Sequence, residues 1–253
     1  MNLTGKPAAS IRYWRITPRW TASPSPSPPN NVALTGPAGC GKTTTVRKLA
    51  ALIEEGRYRR LAGRRVVELN IDLINQDRKK RDLRFKHILD EAEYYNIIIY
   101  VDEAHRLSEN SGPSNLLNTL KPYITSGGLS MLISTTSEEF RLYIARDRAM
   151  ERRFQSVELK EPDHGRLLEI LERVARVRYP RTDITKEAIA ETARLAALCT
   201  PERSEPARSL ELLHYEVSAA QINLPPEEYA AKITEEDARH AAALKMDGYQ
   251  ERD

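Results

Sequence analysis

The stretch "VALTGPAGCGKTTT" at positions 32–45 constrains the fold more than any other. A short apolar run ends at Gly36, and Val46, Leu49, Ala50 and Ile53 then recur at helical spacing, so strand, loop and helix follow directly on one another. At that junction Gly36, Pro37, Ala38, Gly39, Cys40, Gly41, Lys42 and Thr43 fit the spacing GxxxxGK[ST]. Glycines there let backbone amides point inward with no Cβ in the way, and the following helix adds the positive end of its dipole. Such a turn suits a phosphate. Lys42 reaches terminal phosphates, Thr44 joins the nucleotide-binding residues of the turn, and the Thr43 hydroxyl is placed to hold magnesium. The competing reading is an ordinary glycine-rich turn.

The same alternation continues downstream. "RRVVELNI" (64–71) predicts a strand, and Phe85, Ile88, Leu89 and Ala92 mark a helix. "IIIYVD" (97–102) is an uninterrupted apolar run that suits a central parallel strand buried on both faces. "LSMLIST" (129–135) predicts another strand, a single charged helix follows through "EEFRLYIARDRAMERR" (138–153), and "QSVEL" (155–159) closes the series. The expectation is a parallel sheet flanked by helices over residues 30–162. After Pro162 the strand signals stop. Residues 167–177, 187–198, 207–222 and 235–245 all read as amphipathic helices, which predicts a smaller all-helical unit over residues 163–253. Thr234 with Asp237 looks like a capping box opening the last helix.

Residues 1–29 differ from both. They hold six prolines, a "SPSPSPP" tract, Lys6, Arg12, Arg15 and Arg19, and no acidic residue. Proline at that density disfavours regular structure, so a loosely ordered basic extension is expected. An organellar transit peptide and a docking arm built on "IRYWRITPRW" are the alternatives. Across the chain, 39 Lys and Arg against 36 Asp and Glu leave only +3, too little to argue for nucleic acid by itself. Cys40 and Cys199 form no disulfide framework, which points to a reducing, cytoplasmic setting. The five scattered histidines offer no metal cluster, and no run nears the roughly 18 apolar residues that span a bilayer, so no membrane partner is expected.

"IIIYVDEAH" supplies the second half of a site. Ligands of parallel sheets gather at the carboxyl ends of the strands. Asp102, at the tip of its strand, can therefore orient magnesium, and Glu103 is placed to polarise an attacking water; a solvated acid pair is the bland alternative. The letters DEAH also label a helicase class, but those carry two sheet domains in tandem, and His105 reads as a structural or gating side chain.

Together "GPAGCGKT", "IIIYVDEAHRL" and "TTSEEFRLYIARDRAMERRFQSVELKEP" resemble the first nucleotide-binding module of the Clp/ClpB branch of AAA+ ATPases. The resemblance runs from about Asn30 to the end, where "KITEED" is similar to the segment closing that family's helical lid. It implies an α/β P-loop NTPase fold, the AAA+ large subdomain followed by the smaller lid, with ATP and Mg2+ as cofactors. It implies a ring or helical homo-oligomer, hexameric by the same likeness, whose active site lies between subunits. Carried over, Thr136 falls at the sensor-1 position, Arg152 and Arg153 at the arginine fingers that reach a neighbour's nucleotide, and Arg208 at sensor 2. Three departures stand out. The Pro-rich segment stands in the place of a helical one that packs around adenine, Asp77 lies near the position where the pore loop carries an aromatic residue, and a single module without a separate substrate domain is expected.

Three functions compete. The first is a Mg-dependent ATPase that remodels or assembles a protein client or works with an adaptor. The second is a nucleic-acid-associated ring or filament in which Arg78, Lys79, Lys80, Arg81, Arg84 and Lys86 neutralise phosphates; a solvated helix face is the plainer reading of that run. The third is a regulatory or structural subunit that binds nucleotide without turnover.

Overall fold

The computed structural model describes residues 11–13, 31–76, 80–108, 115–222 and 232–250. The chain divides into two compact units, Met1–Gly36 with Lys42–Leu159, and Pro37–Gly41 with Lys160–Asp253.

In the first unit the elements run β1 (Ile11–Tyr13), β2 (Asn31–Thr35), α1 (Lys42–Glu54), β3 (Val66–Leu69), α2 (Ile71–Asn75), α3 (Arg81–Tyr94), β4 (Ile98–Val101), α4 (Leu116–Ser126), β5 (Ser130–Thr135), α5 (Ser137–Glu139), α6 (Arg148–Glu151) and β6 (Phe154–Glu158). The sheet order is β1-β3-β4-β5-β2-β6. All neighbours pair in parallel except β1, which lies antiparallel on β3 with Ile11 opposite Leu69. Residues 11–13 thus correct the expectation of a wholly loose extension, because the outer edge of β3 offers a row of backbone groups that a short segment can pair with. The rest of residues 1–29 lies outside the described residues.

Alternation along each strand splits the core in two. Ile99, Val101, Met131 and Ile133 pack with Phe85 and Leu89 of α3 and with Leu116 and Leu120 of α4. Ile98, Tyr100 and Leu132 point the other way, onto Val46, Ala50 and Ile53 of α1. This parity has a functional consequence. Asp102 and Ser134 continue the even-numbered rows of β4 and β5, so they emerge on the α1 side at the carboxyl end of the sheet. At the opposite end of β2, Asn31 is 2% exposed; its Nδ2 donates to the Arg153 carbonyl at 3.3 Å and its Oδ1 accepts from the Met131 amide at 2.9 Å. One amide therefore ties β2 to both strands beside it.

The single helix expected over 138–153 is broken. A π-helical turn, Phe140–Ile144, separates α5 from α6, and Asp147 restarts the chain by accepting from the amides of Ala149 at 2.9 Å and Met150 at 3.4 Å. A short acid that caps a new helix competes with continuing the old one. Lys121 lies 2.7 Å from the same carboxylate and, as its largest influence, holds its pKa below the usual range.

The second unit holds α7 (His164–Arg178), β7 (Asp183–Ile184), α8 (Lys186–Cys199), α9 (Ala207–Gln221), β8 (Lys232–Ile233) and α10 (Glu235–Gln250). The helices fall where the periodicity places them. The two-residue parallel pair β7 and β8 is an addition, too short to leave any periodic signal. At Thr234 the cap is half of the box expected: its amide and its hydroxyl both donate to Asp237 Oδ2 at 2.7 Å, so the hydroxyl serves the acid instead of an orphan amide. Among the described residues no helix is long and apolar enough to cross a membrane.

Glu216 of α9 is 1% exposed, and burial pushes its pKa up to about 8. Thr192 Oγ1 lies 2.7 Å from the Ala188 carbonyl and 2.9 and 3.0 Å from the two Glu216 oxygens. One hydroxyl proton cannot serve all three. A protonated Glu216 resolves this, donating to Thr192 while Thr192 donates to Ala188. The folded state then holds a proton that the unfolded chain releases near pH 4.5, so stability falls as pH rises from there to about 8 and levels off above. Glu216→Gln should flatten this fall. Chemical denaturation of the full chain at pH 5.5 and 8.5 is expected to show the variant gaining on the parent by up to about 1.4 kcal/mol per pH unit in that window, and equal slopes would assign Glu216 a normal acidity.

Candidate nucleotide site

The turn between β2 and α1 is built on glycine. Gly39 and Gly41 adopt φ of 87° and 95°, a region that side chains with a Cβ rarely enter. The Cys40 amide donates back to the Pro37 carbonyl at 3.4 Å, and the Cys40 side chain is buried. Lys42 Nζ donates to the Gly36 carbonyl at 2.8 Å. Thr44 is exposed on the first turn of α1.

Thr43 faces the other way. Its Oγ1 donates to Asp102 Oδ2 at 2.7 Å, joining the first turn of α1 to the end of β4. The second oxygen, Oδ1, accepts from the Glu103 amide at 3.1 Å and from the Ser134 hydroxyl. Beneath them Tyr100 Oη lies 2.8 Å from Ser134 Oγ. Burial first, then the Asp102 charge, pushes the Tyr100 phenol well above its ordinary pKa, so it stays protonated.

These donors fit magnesium. A hydroxyl and a carboxylate are the hard oxygen ligands that ion takes, and it commonly takes only one or two carboxylates from the protein, the rest coming from phosphates and water. Among the described residues no group of three or more His, Cys, Asp and Glu could hold a metal by itself, so an ion here would draw its remaining ligands from the nucleotide.

Glu103 stands next to this pair in a left-handed conformation, φ 51° and ψ 55°, which costs a non-glycine residue about 1–3 kcal/mol. The bend carries its carboxylate out of the strand. Arg106 Nη2 holds it at 2.7 Å while Nη1 of the same guanidinium binds Asp72 of α2 at 2.7 Å.

Thr136 caps α5. Its Oγ1 accepts from the Glu139 amide at 3.1 Å, and its own amide donates to Glu139 Oε2 at 2.9 Å, a reciprocal box. The hydroxyl proton of Thr136 is left to donate elsewhere. Glu139 also accepts from Thr135 at 2.8 Å and faces His105 Nδ1 at 3.3 Å. Burial raises its pKa, but the bonds from Thr136 and Thr135, together with His105, outweigh that and leave the carboxyl below its ordinary value. Glu139 was missed in the sequence, although the spacing T-x-x-E at 136–139 is the signature of such a box.

Arg152 and Arg153 lie where α6 ends, both exposed, with no ion-pair partner found among the described residues. Asn31 Nδ2 donates to the Arg153 carbonyl, which ties the backbone at the root of the pair to β2. Arg208 is engaged within the second unit: its Nε donates to Glu205 at 2.5 Å, Nη1 to the Arg203 carbonyl at 3.3 Å, and Nη2 sits 4.0 Å from Glu161.

One residue of the basic run is not on the surface. Arg81 is 4% exposed, with Nε 3.0 Å from Asp82. It sits on the core side of α3 in register with Phe85 and Leu89, which corrects its assignment to a phosphate-facing surface. Lys80, Arg84 and Lys86 are exposed; Asp77, Arg78 and Lys79 lie outside the described residues.

A strand, a glycine turn, a helix and an acidic strand end on a parallel sheet define a P-loop nucleotide-binding module. Residues 32–161, just over half of the chain, match the "ATPase family associated with various cellular activities (AAA)", and the chain belongs to that family, on its Clp branch. It is 33% identical over 230 residues to the ATP-dependent Clp protease ATP-binding subunit ClpA homolog of Cyanidium caldarium, covering 85% of this chain and 26% of that protein. It is 31% identical over 237 residues to the chaperone protein ClpB of Oceanobacillus iheyensis, covering 87% and 29%. Among solved structures it is similar to Hsp104 with ATPγS and casein, with a TM-score of 0.76 at 26% identity over 86% of this chain and 38% of that one. The Saccharomyces cerevisiae Hsp104–ADP complex gives 0.72 at 27% identity over 85% and 38%. The chain thus spans about a quarter of the length of these curated relatives.

The box at Thr136 separates two roles of one side chain. Thr136→Ala should lower stability by about 1 kcal/mol, whereas Thr136→Ser should restore it; equal unfolding midpoints for both variants would show that the cap contributes nothing.

Proposed function

We propose that the chain is a Mg-dependent ATP hydrolase that works as a ring or helical homo-oligomer, a hexamer by family likeness, and uses its cycle to remodel or assemble a protein client. The observation that carries this reading is the Thr43–Asp102 bond at the mouth of the glycine turn, beside Glu103. The turn amides from Gly36 to Gly41, with Lys42, Thr43 and Thr44, cradle the phosphates. Thr43 and Asp102 orient magnesium, which when bound neutralises charge on the phosphates. Glu103 orients and polarises the attacking water once Arg106 releases it. Thr136 directs its remaining proton to the water or the terminal phosphate. Arg152 and Arg153 serve the neighbouring copy, where a fixed guanidinium stabilises charge that develops on the transferring phosphoryl group.

Two observations favour a protein client over a nucleic acid. Burial of Arg81 removes one member of the basic run from the surface. The relatives are named as a chaperone and a Clp protease subunit, and the Hsp104 structure contains casein.

Glu103→Gln should keep nucleotide affinity while phosphate release falls at least about 100-fold; hydrolysis at the parent rate would remove Glu103 from the mechanism. In the parent protein, unfolded casein should stimulate phosphate release and DNA should not. Stimulation by DNA alone, with a steep salt dependence, would transfer the assignment to a nucleic-acid partner.

A further inference from the structure

We propose that Ser134 and Tyr100 are positioning residues for the metal: a buried hydroxyl chain, Tyr100 to Ser134 to Asp102, fixes the orientation in which the Asp102 carboxylate is presented beside Thr43. The inference rests on the nucleotide site proposed above.

The direction of the chain follows from the chemistry of its members. A carboxylate only accepts, so the single proton of Ser134 is committed to Asp102 Oδ1. Ser134 is 0% exposed, and no water reaches it. Its remaining capacity is to accept, and Tyr100, 2.8 Å away, is the hydroxyl that donates to it. Both donations therefore run toward Asp102, and hydrogen bonds aligned in series polarise one another.

The consequence falls on the two oxygens of Asp102. Oδ1 receives Ser134 and the Glu103 amide, two donors, which matches the two lone pairs of a carboxylate oxygen. Among the described residues, Oδ2 receives the Thr43 hydroxyl. One acceptor position is left open, and it lies on the oxygen next to the Thr43 hydroxyl. Without Ser134 the carboxylate at the end of β4 could turn about its own bond and would no longer hold one orientation beside Thr43. Groups that hold a metal ligand in one orientation commonly change metal affinity 10- to 100-fold when removed.

Placement agrees with this assignment. Parallel register sets Tyr100 opposite Leu132 and Val101 opposite Ile133, so Asp102 comes level with Ser134 on the next row. The side chains of Tyr100 and Leu132 lie on the α1 side, the side from which Thr43 arrives.

The test uses the full chain and a fluorescent, non-hydrolysable ATP analogue, with its affinity followed as free Mg2+ is titrated from EDTA conditions upward. Tyr100→Phe and Ser134→Ala are nearly isosteric and should leave the metal-free affinity unchanged. Each should raise the magnesium concentration at the midpoint, by about 10-fold for Ser134→Ala and less for Tyr100→Phe. The Tyr100 phenol also interacts directly with Asp102 and Thr43, so the double variant should exceed Ser134→Ala alone, but by less than the full effect of Tyr100→Phe, because Tyr100 acts mainly through Ser134. Parent midpoints in both single variants would overturn the proposal, as would effects that add in the double variant. Loss of metal-free affinity together with a lowered unfolding midpoint would assign the chain to folding instead, and would also overturn it. A parent chain whose binding ignores magnesium would overturn the nucleotide site itself, a result distinct from the others.

Discussion

The hydroxyl of Thr43 meets the carboxylate of Asp102 across a gap of 59 residues in sequence, and the proposed nucleotide site depends on that meeting. It is a product of topology. In the order β3-β4-β5-β2, the turn after β2 lies two strands from the end of β4, with β5 between them. The start of α1 must therefore reach past the end of β5, where Ser134 sits. Strand parity decides what it finds. Even-numbered positions of β4 and β5 face α1, so a carboxylate and two hydroxyls converge there, while the odd-numbered neighbours are apolar and pack under α3 and α4.

Around this junction the structure restrains each group that chemistry would need. Glu103 is carried out of its strand by a left-handed bend and tethered by Arg106, which also grips Asp72 at the start of α2. The same guanidinium thus links the Glu103 carboxylate to α2. Thr136 is committed to a cap but keeps a proton to give. Arg152 and Arg153 are exposed at their tips and fixed at their root by Asn31, whose other bond runs to β5. Strain and tethering at a site cost stability that the two apolar cores on either side of the sheet supply.

Much of this was legible in the sequence, for physical reasons. The glycine spacing and the β-branched run before Asp102 are local signals, and local patterns dictate the strand–turn–helix junction and the central strand directly. The helices beyond Pro162 were legible from periodicity. Other features depend on partners distant in the chain. The pairing of residues 11–13 with β3, the two-residue strands at 183–184 and 232–233, and the burial of Arg81 all follow from tertiary context that overrides local composition. The break at Asp147 was readable in principle, since a short acid before "RAME" is a helix start, yet the charged periodicity on both sides masked it. Ser134 and Tyr100 gave no signal on their own; only the register that sets β4 against β5 makes a chain of them.

The most direct measurement of the central claim is complementation between two inactive proteins. Lys42→Ala removes the proposed phosphate contact of its own turn but keeps both arginines; the double variant Arg152→Ala, Arg153→Ala keeps an intact turn but lacks the guanidinium groups proposed to serve a neighbour. If a neighbour's arginines complete each site, mixing the two at equal concentration should restore phosphate release to a measurable fraction of the parent rate, and dilution of the mixture should abolish it. A mixture that stays as inactive as its components, in an assembly shown by light scattering to contain both, would contradict a site shared between copies.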